Sequence, residues 1–182
     1  AAFFVNHLIK RSIIMRKTIV TIWSSLFLFT LAMSAHGKIL IPAPPALAAS
    51  AWILIDANTG KVLIEHNADQ QLPPASLTKI MTSYLVASDI DSGKINEDDQ
   101  VPISVTAWKM GGSKMFIREG TRVPVIDLLR GVIIQSGNDA SVALAEHLAG
   151  SETAFVDVMN QQAALLGMSG THYNNATGWP DE

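Results

Sequence analysis

Ser76 and Lys79 stand three residues apart in the stretch Pro73-Pro74-Ala75-Ser76-Leu77-Thr78-Lys79-Ile80-Met81-Thr82. Residues three apart on a helix share a face, so the lysine amine reaches the serine hydroxyl. Lys79 is also the single charge between Asp69 and Asp89. Leu77, Ile80, Met81, Tyr84 and Leu85 recur around it at helical spacing, which predicts a buried helix. Burial disfavours the charged ammonium, and a neutral amine beside a hydroxyl is a general base beside a nucleophile. The two prolines block helix before Ser76 and tolerate a start after it. Ser76 then falls in the first turn, where unpaired backbone N–H groups and the helix dipole favour developing negative charge. This is the chemistry of acyl transfer. The pair alone decides little, because Ser-x-x-Lys arises by chance about once in a chain of this size. A lysine near a helix end also snorkels readily to water.

A second group lies about sixty residues on, in Ser136-Gly137-Asn138-Asp139. It sits between a predicted helix over 125–135 and another over 140–148 that Gly150 stops. Taken alone, Ser, Gly and Asn are the ordinary residues of a helix break.

Strands, helices and loops on either side must position these groups. Residues 51–56 and 61–66 are strands, joined by a turn at Ala57-Asn58-Thr59-Gly60 into a hairpin. The Ser76 helix comes next, then a short strand over 101–105. Lys109-Met110-Gly111-Gly112-Ser113-Lys114 is a flexible glycine-bearing loop, and Gly120 to Pro124 turns into the 125–135 helix. Ser151 caps a helix over 152–166 that Gly167 ends. Residues 171–182 form a polar loop.

Composition limits the partners. The chain has 182 residues, 48% of them hydrophobic, 16% charged, with no cysteine and a formal charge of -3. Four of its bases (Lys10, Arg11, Arg16, Lys17) lie in the first 37 residues, which carry no acid, so residues 38–182 are distinctly acidic. That argues against a nucleic-acid partner. No disulfide framework or cysteine-based zinc site is available. Met15-Arg16-Lys17, the uncharged run from Thr18 to Met33 and Ala35-His36-Gly37 read as a secretory signal, preceded by an upstream extension. As a helix the run reaches about 24 Å, short of a hydrocarbon core of about 30 Å. Residues 1–37 are thus predicted to be extension plus signal, and 38–182 the folded part, exported to the cell envelope.

In this order the two groups resemble the signature of the penicillin-binding and serine β-lactamase superfamily. Several longer stretches are similar to the low-molecular-mass D-alanyl-D-alanine carboxypeptidases of the penicillin-binding protein 5 type. They are Leu54-Ile55-Asp56 with Thr59-Gly60-Lys61-Val62-Leu63, Asn67-Ala68-Asp69, Pro74 to Thr82, Gln135 to Ala140, and Asn174-Asn175-Ala176-Thr177-Gly178. The resemblance covers roughly residues 38–182. It implies an α/β (α+β) fold of the serine β-lactamase and penicillin-binding transpeptidase type. It further implies that Ser76 attacks the bond between the terminal D-alanines of a peptidoglycan pentapeptide and that Lys79 takes its proton. Ser136 would relay a proton to the leaving D-alanine, and Asn138 would hydrogen-bond the substrate and the lysine. Ser113 is expected to face the site. Penicillins and other β-lactams would acylate the same serine, and no metal or organic cofactor is implied.

The family's Lys-Thr-Gly motif is not found in these residues, so the sequence reads as a partial catalytic domain. The β-rich second domain and the anchor that holds relatives to the membrane surface are expected beyond it. A class A β-lactamase needs a carboxylate for deacylation, and residues 158–180 contain no acid. A DD-endopeptidase uses the same residues and stays open, as does an inert penicillin-binding fragment.

Overall fold

The computed structural model describes residues 45–180 together with Trp23 and Ala43. The extension and signal read at 1–37 lie outside the described residues, Trp23 excepted. The chain divides into two units, one ending at His66 and one beginning at Asn67.

The first unit holds the expected hairpin. Strands β1 (Trp52–Ile55) and β2 (Val62–His66) pair antiparallel, with Trp52 opposite His66 and Leu54 opposite Ile64. Asp56 shapes the turn, its Oδ1 accepting from Thr59 N at 2.8 Å and Thr59 Oγ1 at 2.6 Å.

The second unit is mainly helical. A 3-10 turn at Ala75–Leu77 leads into α1 (Thr78–Asp91). Strand β3 (Gln100–Pro102) is followed by α2 (Val105–Lys109), strand β4 (Arg122–Pro124) by α3 (Val125–Gln135), and then come α4 (Asn138–Ala149) and α5 (Glu152–Leu165). Strands β3 and β4 form a second antiparallel pair with Val101 opposite Val123. Mixed helix and strand with this order is the α+β arrangement that the sequence implied.

Helix α4 is the centre of this unit. Every residue from Asn138 to Ala145 is buried, and its alanines let α1, α2, α3 and α5 approach closely. Val86 of α1, Val101 and Ile103, Leu128 and Val132 of α3, and Val142 and Leu144 form one apolar cluster. Met81 and Leu85 of α1, Phe155 and Met159 of α5, Tyr173 and Ala176 form another.

Four local expectations are corrected. Helix α1 begins at Thr78, so Ser76 lies on the preceding 3-10 turn, not in a first α-helical turn. Among the described residues only one side of α1 is enclosed: Met81, Leu85 and Val86 are buried, whereas Ile80 and Tyr84, and Leu77 on the turn before them, are exposed. The strand read at 101–105 is shorter, because Ser104 caps α2 by accepting from Ala107 N at 3.0 Å. Finally, α4 starts at Asn138, which places that residue in a helical first turn and not in the loop before it.

Candidate active site

Ser76 is exposed and Lys79 is 5% exposed, so nucleophile and base differ in environment although they are neighbours. The Lys79 Nζ stands 3.2 Å from Ser76 Oγ and donates to the Thr177 carbonyl at 2.8 Å. Desolvation by burial holds the Lys79 ammonium below the ordinary lysine value. Neither of the two ion pairs found among the described residues, Lys94–Asp89 and Arg130–Asp127, involves it. A neutral amine has two N–H groups and one lone pair. With one N–H fixed on Thr177 O, the lone pair is available to the Ser76 hydroxyl hydrogen.

The Thr177 carbonyl is held by a turn that one side chain organises. Asn175 Oδ1 accepts from Thr177 N, Thr177 Oγ1 and Gly178 N at 3.1, 3.0 and 2.7 Å. Its Nδ2 donates to Trp179 O at 2.9 Å, and Trp179 N donates to Thr177 Oγ1 at 3.0 Å. The turn is fastened to α1 by Thr82 Oγ1, which donates to Ala176 O at 2.8 Å, and to α5 by Glu152 Oε1, which accepts from Ala176 N at 3.0 Å. Gly178, at φ +72°, packs on the Ala75 carbonyl so tightly that a Cβ there would overlap it. Ala75 itself has φ +47°.

The other half of the site hangs from α4. Ser136 ends α3 in the left-handed conformation, φ 53° and ψ 38°, and is half-buried. Positive φ is uncommon outside glycine, and such residues concentrate at functional sites. Asn138 N donates to Ser113 O and Asn138 Nδ2 to Gly111 O, both at 2.8 Å. Asp139, fully buried, accepts from Met115 N at 2.8 Å, Ile117 N at 3.2 Å and Ala140 N at 2.9 Å. Together Asn138 and Asp139 fix residues 111–117 by four backbone bonds. The loop expected to be flexible is therefore pinned at both ends of its glycine stretch. Gly137 is closely packed here: a Cβ would lie 3.1 Å from Asp139 Oδ1 and 3.2 Å from Met115 N.

The structure thus joins Ser76 to Lys79, and Asn138 to the Ser113 backbone. Ser113 itself is exposed on the loop. Among the described residues no hydrogen bond runs from Ser136 or Asn138 to Lys79, so the expected Asn138–lysine bond is replaced by bonds to the 111–113 backbone. Sequence reasoning missed Thr177, Asn175 and Asp139. The Thr177 group is a carbonyl, present in any residue, so no side-chain pattern announces it. Asp139 was legible as a lone acid in an otherwise uncharged run from Gly131 to Leu144.

Known proteins resemble this chain in both sequence and fold. A family model described as D-alanyl-D-alanine carboxypeptidase matches residues 38–182. The chain is 46% identical over 153 residues to the D-alanyl-D-alanine carboxypeptidase DacD of Salmonella typhimurium, covering 81% of this chain and 39% of that protein. It is 47% identical over 147 residues to DacA of Escherichia coli K12, covering 78% and 36%. Among solved structures, DacD from Francisella tularensis superposes with a TM-score of 0.76 at 46% identity, over 83% of this chain and 37% of that one. The chain spans less than half the length of each of these relatives.

Proposed function

Because this chain belongs to the D-alanyl-D-alanine carboxypeptidase family, we propose that it supplies the nucleophile half of a serine DD-carboxypeptidase site acting on peptidoglycan stem peptides. The observation that carries the reading is the buried Lys79 amine, 3.2 Å from the exposed Ser76 hydroxyl and oriented by the Thr177 carbonyl. Ser76 Oγ attacks the carbonyl carbon of the penultimate D-alanine as Lys79 Nζ takes the hydroxyl proton. Charge develops on the substrate oxygen beside the amino end of α1, where the helix dipole favours it. Collapse breaks the C–N bond, and the Ser136 hydroxyl relays the proton held by Lys79 to the departing D-alanine nitrogen, which returns Lys79 to its neutral form. Water then hydrolyses the Ser76 ester, with Lys79 as base again. Asn138 holds the peptide backbone of the substrate, and Ser113 lines the same side. A β-lactam acylates Ser76 by the same attack, its ring opening in place of amide cleavage. On this reading the protein works in the cell envelope, exported by the 15–37 signal and held at the membrane surface by a C-terminal anchor.

A fluorescent penicillin and a pentapeptide ending in D-Ala-D-Ala test this in the protein as its gene encodes it. The expected result is covalent label on the Ser76 peptide, free D-alanine from the pentapeptide, and neither in Ser76→Ala. Label on another residue, or parental D-alanine release by Ser76→Ala, overturns the assignment. Cleavage of a cross-linked dimer without D-alanine release from the pentapeptide makes it an endopeptidase.

A further inference from the structure

Trp179 touches both halves of the site. Its indole lies over the two glycines of the 111–113 loop: a Cβ built on Gly111 would stand 3.8 Å from Trp179 Cζ2, and one on Gly112 would run into Cζ3. The same Cβ on Gly112 would stand 2.8 Å from Asn138 Nδ2, so the indole and the Asn138 amide both approach Gly112 closely. Gly112 has φ +72°, so it combines a conformation and a clearance that only glycine gives. At its other end Trp179 is fixed to the lysine-orienting turn, its N–H on Thr177 Oγ1 and its carbonyl on Asn175 Nδ2.

We propose that Trp179 is a positioning residue: it clamps the Gly111–Gly112 backbone onto Asn138 and so holds the substrate-binding amide in register with the Ser76–Lys79 pair. This rests on the carboxypeptidase reading above. The clamp acts on the loop and not on the base, because Lys79 bonds to the Thr177 backbone, which Asn175 orders independently of the indole. A misplacement of about 1 Å costs up to about a hundredfold in rate, so an aromatic cover of this kind has a measurable effect.

The test is the second-order rate of Ser76 acylation by a fluorescent penicillin, measured against pH in the protein as its gene encodes it. Trp179→Ala is expected to slow acylation about 10- to 100-fold, Trp179→Phe about threefold or less, with the pH at which the rate reaches half its plateau unmoved in both. Gly112→Ala is expected to slow it too. The double variant should lose less than the two single losses combined, because removing the indole relieves the overlap that the Gly112 methyl makes with it, while the strain at φ +72° and the approach to Asn138 Nδ2 stay. Parental acylation by a folded Trp179→Ala protein overturns the proposal. So does a shifted pH profile, which would put the effect on Lys79, or additive losses in the double variant. If Trp179→Ala melts below the assay temperature, Trp179→Val carries the same comparison. A parent protein that takes no label at Ser76 instead defeats the underlying functional reading, an outcome separate from all of these.

Discussion

At the scale of single residues, the site turns on a lysine whose charge the fold disfavours. Lys79 acts as a base only when neutral, and burial lowers its proton affinity below the ordinary lysine value. The acylation rate should therefore rise with pH through a single ionisation lying below that value, then level off. Lys79→Arg keeps the positive charge but removes the lone pair, since a guanidinium stays protonated in proteins. It should reduce acylation by about 10²- to 10⁴-fold at every accessible pH and abolish the limb. Acylation rates of parent and variant between pH 5 and 10 check this, and a pH-independent parent would remove Lys79 from the role of base. The Ser76–Lys79 pairing was legible because it is local: three residues fix the geometry whatever the rest of the chain does. What orients the lysine was not, because its partner is a backbone oxygen 98 positions away.

At the scale of elements, two short irregular segments do what the helices cannot. The 3-10 turn at Ala75–Leu77 and the turn at residues 175–179 lean on each other through the Ala75 carbonyl and Gly178. Gly178→Ala would press a methyl into that carbonyl and to 2.7 Å from Thr78 Oγ1, in a left-handed conformation that alanine tolerates poorly. One of the two turns must then move, and both carry the site. The expected cost is about 2–4 kcal/mol of stability together with at least a tenfold loss in acylation. Thermal unfolding and labelling kinetics read the two effects, and an unchanged melting temperature with an unchanged rate would show that the turns do not brace each other. Helices α3, α4 and α5 were legible from apolar spacing and from Gly150 and Gly167. The start of α4 was not, because Asn138 reads equally as a loop residue and as a first-turn residue. The exposed face of α1 was misread for a related reason. Ile80 and Tyr84 are apolar like Met81 and Leu85, so periodicity alone could not separate the two sides.

At the scale of the whole molecule, the same lysine that supports the chemistry weakens the fold. In the unfolded chain Lys79 titrates near 10.5, and in the folded chain lower, because burial penalises its charge. Between those two values the unfolded state binds more protons than the native state, so stability rises with pH across that window. Below the folded value the slope vanishes and the penalty is complete. Lys79→Met fills a similar volume with no charge to desolvate. It also leaves the Thr177 carbonyl without its partner, but a carbonyl does not titrate, so that loss shifts the comparison by a constant. The pH dependence of the difference is therefore the test. Relative to the parent, Lys79→Met should be most favoured at neutral pH, and its advantage should shrink as pH rises toward 10. Calorimetric melting of both proteins from pH 6 to 10 measures it, with the other titrating groups cancelling in the difference. A gap that stays constant over that range would mean that Lys79 has the same proton affinity folded and unfolded. The buried base would then have to be explained without desolvation, against the trade of stability for activity that catalytic sites commonly show.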